Sequence, residues 1–274
     1  MASGTVGRVA PSGPGRPDLG GVEEYARAVE AAAGHLAARA GDAGLSAAVP
    51  TCPRWRVADL LAHLGVVHRW ATSHLRGGPE YQVSRTRVQS EVPPSELVGW
   101  FEAGAGDLVA ALQAAPAELS AMVFLHDAPA PRLFWARRQA HETTVHSVDA
   151  LAAALGRAPT AEESGIGTAL ALDGLDELLR SFVTRGRSKL RRQDGATLAV
   201  LPSDADRAWV LRLGEQVSTD RVGADDERCR GAGVRFRGTA TQLYLGLWNR
   251  GTEVSADDPD LLADWHGRQR VRWS

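Results

Sequence analysis

Glu142 and His146 stand four residues apart in a segment with the pattern of an amphipathic helix. On an α-helix this spacing places a carboxylate and an imidazole on one face, one turn apart. Both groups are ligands of divalent metals, so the pair can bind one ion from one side. One ligand from another helix would complete a site of two histidines and one carboxylate that keeps open coordination positions. The pattern therefore requires a third ligand elsewhere in the chain.

The best source of that ligand is an apolar helical pattern over residues 57–74, which carries three histidines. His63 lies among leucines and valines on the side that we expect to face inward. His68 is five residues further on, rotated by about 140° on a helix, and we expect it to point toward the rim. A lone histidine on an apolar face is more often a hydrogen-bonded core residue than a ligand. The Glu142–His146 pair makes His63 a candidate ligand, and both interpretations stay open at this point.

Four amphipathic helical patterns fill the first half of the chain. Besides 57–74, the first has an apolar face that includes Val22 and Leu36, and the fourth extends from about Pro131 to about Leu155. The third follows two prolines, with Ser95 as the expected N-cap. Together these patterns predict a four-helix bundle, a fold whose interior commonly holds metal sites.

The pattern changes after Gly156. A further helix is predicted over 168–185, and a capping box that opens at Thr239 predicts another. Strand-like runs and a last short helix complete this half; the runs are 197–201, 208–213 and 234–237, and the helix is 259–265. The chain is therefore expected to be an α+β protein. We predict a disordered tail at 1–20, the bundle at 21–160 and a smaller mixed α/β domain at 165–274.

Composition narrows the function classes. A formal net charge of −2 gives no general argument for binding nucleic acid or an anionic membrane surface. The two cysteines, Cys52 and Cys229, are too few for a disulfide framework or a thiolate metal site. No stretch approaches the ~20 apolar residues that a membrane span requires. We therefore expect a soluble, cytoplasmic protein.

Three segments of the chain resemble one family. Residues 51–70 and 134–149 are similar to the two N-terminal motifs of the mycothiol-dependent maleylpyruvate isomerase family, and 234–250 resembles its second domain. The resemblance implies a DinB-like four-helix bundle followed by an α/β domain. It places His63, Glu142 and His146 at the metal-ligand positions, with zinc as the expected ion and mycothiol as the thiol cosubstrate. It also aligns Arg250 with the region of a catalytic arginine.

Two departures from the family pattern leave the substrate open. Arg54-Trp55-Arg56 replaces Gly-Trp-Thr before the second helix, so the threonine cap is lost and Asp59 is the expected replacement. After the last ligand, Ser147-Val148 replaces Arg-Trp. Both changes fall at the expected pocket mouth, so they affect the choice of substrate and leave the three ligands intact.

A metal can hold a thiol as thiolate at neutral pH. A thiolate can add to an electron-poor alkene, which gives an isomerase if elimination follows, or form a stable S-conjugate, which gives a transferase. The same ligands would also suit a hydrolase that activates water, or a non-catalytic ligand-binding module with a structural metal. The substrate is expected to be a small electrophile, and Fe(II) would fit the same ligands as zinc.

Four other features have competing interpretations. Arg138, one turn before Glu142, is a catalytic candidate that could orient the carboxylate or bind an anionic substrate, and a structural ion pair is equally consistent. His141 points off the ligand face. Cys52 is better explained as a small buried residue than as a nucleophile. The basic run 185–192 is better explained as a solvated connector than as an anion-binding loop.

Overall fold

The computed structural model describes residues 19–125, 127–185, 190 and 195–269. The predicted tail at 1–20 and the basic run at 185–192 lie almost wholly outside the described residues. Among the described helices, none is both long and apolar enough to cross a membrane.

Four long helices form the first half, as the apolar patterns predict. They are α1 (Val22–Ala43), α2 (Val57–Arg76), α4 (Leu97–Ala114) and α5 (Pro131–Leu155), with the short α3 (Arg85–Glu91) between α2 and α4. Helix α5 packs against α1 and α2, while α4 packs on the other side of that pair. Almost the whole length of α5 is buried, so it is the central element of the bundle.

The starts of α2 and α4 differ from each other in how they are capped. The Asp59 carboxylate accepts a hydrogen bond from the backbone N–H of Arg56 at 2.8 Å, so Asp59 takes part in capping α2 as predicted, although this is the reciprocal bond of a capping box and not the one that a threonine at position 56 would make. The prediction that Ser95 caps α4 is wrong. A 3-10 turn over Pro94–Glu96 precedes α4, and its N-cap position falls on Glu96 with no side-chain hydrogen bond. The fixed φ of Pro94 starts that turn before Ser95 can act as a cap.

The second half combines helices with one mixed sheet. Its helices are α6 (Ala161–Ser164), α7 (Thr168–Asp176), α8 (Glu227–Gly231), α9 (Ala240–Leu247) and α10 (Pro259–Arg268), and α7 continues as a π-helical segment over Glu177–Phe182. The strands are β1 (Thr197–Pro202), β2 (Ala208–Leu213), β3 (Val217–Val222), β4 (Val234–Gly238) and β5 (Ser255–Ala256). A helical bundle followed by a small mixed sheet confirms the α+β prediction.

The sheet has the order β3-β2-β1-β4-β5. Its central strand β1 is antiparallel to β2 and parallel to β4. The three predicted strands are therefore the three middle strands of the sheet. The edge strands β3 and β5 were not predicted. Strand β3 is mostly polar and only partly buried, so it has no apolar run that could mark it in the sequence. The predicted capping box at Thr239 is confirmed, since its side chain accepts from the N–H of Gln242.

A buried polar seam joins α5 to α7. It contains Arg137, Arg138 and His141 on α5, and Asp173, Asp176 and Glu177 on α7 and its π-helical continuation. Asp173 accepts from Arg137 at 3.0 Å and lies 2.8 Å from His141 Nε2. Because a buried charge without a partner is strongly destabilising, these pairs fix how the bundle sits on the second half.

Gly174 allows the close packing at the middle of this seam. A Cβ atom there would overlap the ring of Tyr244 and come within 2.9 Å of His141 Nδ1. We expect Gly174→Ala to lower the free energy of unfolding by about 1–3 kcal/mol, the usual effect of overpacking. Gly106→Ala in α4 is the matched control, because nothing lies within 4 Å of the added methyl group. Urea unfolding of both variants measures the difference, and equal stability would contradict this account of the seam.

Candidate metal centre

The three predicted ligands meet between α2 and α5. His63 Nε2 lies 3.4 Å from Glu142 Oε1, and His146 Nε2 lies 3.3 Å from the same oxygen. One ligand atom from each residue lies within 4.8 Å of the other two. Zinc binds nitrogen and oxygen ligands at about 2.0–2.1 Å, and a tetrahedral site then separates two ligands by about 3.4 Å. The residues therefore fit a small divalent ion.

The charges of Glu142 and His63 suit a cation, whereas His146 must release a proton before it can bind one. Burial raises the pKa of Glu142, but hydrogen bonds with both histidines and the charge of Arg138 outweigh burial and hold the pKa well below its usual value. Burial lowers the pKa of His63, which favours the neutral imidazole that a metal needs. Burial also acts on His146, but hydrogen bonds to Asp149 and Glu142 prevail and raise its pKa to about 9. An anionic carboxylate thus lies between two imidazoles.

Asp149 holds the second ring nitrogen of His146. Its Oδ2 lies 2.8 Å from His146 Nδ1, so Nδ1 donates its proton to Asp149 and Nε2 is directed at Glu142 Oε1. The Asp149 side chain is completely buried and also accepts a hydrogen bond from Thr51 Oγ1 at 2.6 Å. This is the carboxylate–histidine arrangement that commonly supports a metal ligand.

Arg250 approaches the same carboxylate from the loop after α9. Its Nε and Nη2 donate to the two oxygens of Asp149 at 3.0 and 2.9 Å, and its Nη1 donates to the carbonyl of Trp248 at 2.8 Å. The side chain keeps 16% of its surface exposed. The structure thus brings Arg250 to the ligand cluster, where Asp149 lies between its guanidinium and the ring of His146.

Arg138 lies on the inner side of the cluster. Its Nη2 donates to Glu142 Oε2 at 3.2 Å, and its Nη1 is paired with Glu177. The side chain has no exposed surface. Of the three interpretations that the sequence allows, binding of an anionic substrate is disfavoured because the guanidinium faces other side chains, whereas orientation of Glu142 and a structural ion pair both agree with this geometry.

Trp55 covers part of the ligand cluster. Its ring is 4.8 Å from the ring of His63 and is stacked on that of His146 at 5.7 Å, and the guanidinium of Arg85 lies over the Trp55 ring, 5.0 Å from its centre. The side chain of His63 is 16% exposed, so the cluster is not sealed from solvent. The Trp55 ring and the Arg85 guanidinium thus place an apolar surface and a positive charge beside the cluster.

Cys52 also lies beside the cluster, with its Sγ 3.4 Å from Arg250 Nη2 and 3.5 Å from Asp149 Oδ2. It is only partly buried, whereas the sequence suggested a buried residue. Burial, with the negative charge of Asp149 added, raises the pKa of its thiol to about 12. The thiol therefore stays protonated, which agrees with the preference against a nucleophilic Cys52.

Two other histidines have structural partners. The expectation that His68 points toward the rim is wrong: the side chain is completely buried, and its Nε2 lies 3.0 Å from Thr143 Oγ1. Phe101 of α4 covers this side of α2, with its ring 5.5 Å from that of His68. His141 points away from the ligands and binds Asp173, as its position on the helix predicts.

Sequence reasoning could not find Glu177. Asp149 had a signal, because it follows His146 by three residues on the same helix face. Glu177 is distant in sequence and reaches the site only through the packing of α7 on α5, so no local pattern marks it.

Two family profiles match the chain in order. The Mycothiol maleylpyruvate isomerase N-terminal domain matches residues 26–151, and the MDMPI C-terminal domain matches residues 169–265. The chain belongs to the mycothiol-dependent maleylpyruvate isomerase family. The resemblance of the sequence motifs is thus confirmed over most of the described residues. Among curated proteins, none matches this sequence significantly.

Two crystal structures share the fold. Both are of a mycothiol-dependent maleylpyruvate isomerase, one of them a mutant with a histidine replaced by alanine, and they superpose with TM-scores of 0.60 and 0.62 respectively for the unmutated and mutant protein. Each is 16% identical in sequence to this family member. The superposition covers 88% of this chain and 94% of the solved chain. At this identity the likeness shows the architecture of both halves.

Asp149→Asn tests whether the carboxylate supports His146. The amide can present an N–H to Nδ1 in place of an acceptor, so we expect metal affinity to fall by about 10–100-fold. Competition with a chromophoric chelator measures the affinity. Cys52→Ala is the control, since it removes another contact of Asp149 but touches no ligand. Unchanged affinity in Asp149→Asn would contradict the supporting role.

Proposed function

We propose that this family member is a metal-dependent enzyme that activates mycothiol for addition to, or substitution on, a small electrophile. The observation that carries the proposal is the convergence of His63 and His146 on one oxygen of Glu142, with His63 partly exposed. Membership of a mycothiol-dependent family supports the identity of the thiol. Zinc suits the ligand set of two imidazoles and one carboxylate.

Each ligand is held by a partner of its own. Asp149 keeps His146 Nε2 directed at the shared position, while Arg138 occupies Glu142 Oε2 so that Oε1 alone faces the imidazoles. Trp55 packs against both histidine rings and limits their rotation. When bound, the metal would lower the pKa of a coordinated thiol so that it reacts as thiolate at neutral pH.

Arg250 is a partly exposed cation that reaches the ligand cluster through its contact with Asp149. Addition of a thiolate to an alkene conjugated with a carbonyl moves negative charge onto the carbonyl oxygen, and a fixed cation stabilises that charge. The bidentate contact with Asp149 fixes the guanidinium beside the ligand cluster without using all of its donors. We therefore assign Arg250 to stabilisation of charge on the substrate, and Arg138 to orientation of Glu142.

The reacting thiol must come from outside the chain. Cys52 is close to the site, but its thiol stays protonated because burial raises its pKa to about 12. Its contacts with Asp149 and Arg250 also keep it at the side of the ligand cluster. A bound cosubstrate such as mycothiol supplies the nucleophile instead.

Metal analysis is the first test. We expect about one divalent ion per chain in purified protein, since three ligands converge at one position. His146→Ala removes a ligand and should abolish binding, whereas His35→Ala, an exposed histidine of α1, should keep it. Elemental analysis after dialysis gives the stoichiometry. A folded wild type that binds no ion would refute the metal-dependent proposal.

The reaction type is tested with mycothiol and a panel of electrophiles, followed by mass spectrometry. A product of unchanged mass but altered configuration indicates isomerisation, and a product heavier by the thiol indicates conjugation. Reactions without thiol are the control. Turnover in that control would favour a metal-dependent hydrolase over a thiol-using enzyme.

Arg250→Ala should separate catalysis from metal binding. We expect kcat/KM to fall by about 10²-fold, as when one charge-stabilising donor is removed, with metal content at saturating zinc unchanged. Arg268→Ala on α10 removes a half-exposed arginine paired with Asp264 and serves as the control. Loss of metal with normal turnover per bound ion would show that Arg250 acts on the ligands and not on the substrate.

A further inference from the structure

Glu177 belongs to the second domain, yet it lies two contacts from the metal site. It is 1% exposed and pairs with Nη1 of Arg138, which is completely buried. The other side of the same guanidinium donates to Glu142 Oε2 at 3.2 Å. A continuous line of side chains therefore runs from Glu177 through Arg138 to a predicted metal ligand.

The backbone is irregular at the point where this line begins. Helix α7 changes to a π-helix at Glu177, with the N–H of Val183 bonded to the carbonyl of Leu178 at 2.9 Å. Short π-helical segments inside helices are rare and occur frequently at functional sites. Asp176, the last residue of α7, pairs with Arg137, and Glu177, the first residue of the π-helical segment, pairs with Arg138.

Arg138 has no exposure to water that could balance its charge. Besides the two carboxylates, its guanidinium faces the rings of Phe182 and Trp248, at 5.1 and 5.4 Å from their centres. A buried cation requires a counter-ion. Glu142 alone would have to serve both Arg138 and a metal ion, and these two cations would compete for one carboxylate. Glu177 removes that competition by pairing with the opposite side of the guanidinium.

We propose that Glu177 is a positioning residue of the metal centre, which acts through Arg138 to fix Glu142 and to keep its negative charge available to the ion. The second domain thereby contributes to metal affinity from a position that touches no ligand. This inference rests on the proposed function, since it requires that His63, Glu142 and His146 bind a metal.

The test compares Glu177→Gln with Asp176→Asn. These neighbouring carboxylates are both buried and both pair with an arginine of α5, but only Glu177 contacts Arg138. We expect zinc affinity, measured by chelator competition, to fall by about tenfold or more in Glu177→Gln, as for other residues that orient metal ligands. Asp176→Asn should bind zinc like the wild type, although thermal unfolding should show that both variants are less stable.

A spectroscopic readout separates positioning from a general loss of stability. In protein reconstituted with Co²⁺, the visible bands report the ligand geometry directly. Glu177→Gln should shift these bands and Asp176→Asn should leave them in place. Equal affinities and spectra for Glu177→Gln and the wild type, or equal changes in both variants, would overturn the inference.

The paired variant Arg138→Met/Glu177→Met covers the case in which Glu177→Gln does not fold. It replaces the buried ion pair by apolar side chains, a change that proteins often tolerate, and it leaves Glu142 Oε2 without its donor. Wild-type affinity in this variant would also refute the inference. If the wild type itself binds no zinc, both the proposed function and this inference fail. If the wild type binds zinc and the variants bind it with the same affinity, only this inference fails.

Discussion

The site depends on the hydrogen bonds that the buried Asp149 carboxylate accepts. One oxygen faces His146 Nδ1, and both oxygens accept from Arg250, so a single buried anion links a bundle helix, a predicted metal ligand and the second domain. The cost of burying this anion is offset only while its donors remain in place. The position of His146 and the docking of the second domain are therefore coupled.

The seam between α5 and α7 extends the same constraint. Helix α5 is buried along almost its whole length, although many of its residues are polar or charged, and most of their partners lie outside the helix. Arg137, Arg138 and His141 find carboxylates on α7 and its continuation. Buried charges of both halves are therefore paired across this seam, which couples the bundle to the α/β domain.

The elements that could be predicted are those with a local signal. Apolar periodicity located the four bundle helices, and the spacing of Glu142 and His146 indicated half of the ligand set. His63 needed the family resemblance in addition, because one histidine on an apolar face has several explanations. The wrong predictions for Ser95 and His68 have a different origin. A turn that begins at Pro94 precedes α4, so Ser95 is not its N-cap. Phe101 of α4 packs against His68, so a face of α2 that would be exposed in the isolated helix is buried. Glu177 depends entirely on how α7 packs, which no pattern in the sequence encodes.

The π-helical turn at Glu177 has a consequence for how sequences of this family are compared. A π turn contains more residues than an α turn, which is the result of inserting a residue into a continuous helix. A relative with a regular α7 would carry one residue fewer here. An alignment without a gap would then match Glu177 to a neighbour that points elsewhere, and the carboxylate opposite Arg138 would be counted as absent. The length of this one helix therefore decides which position is compared.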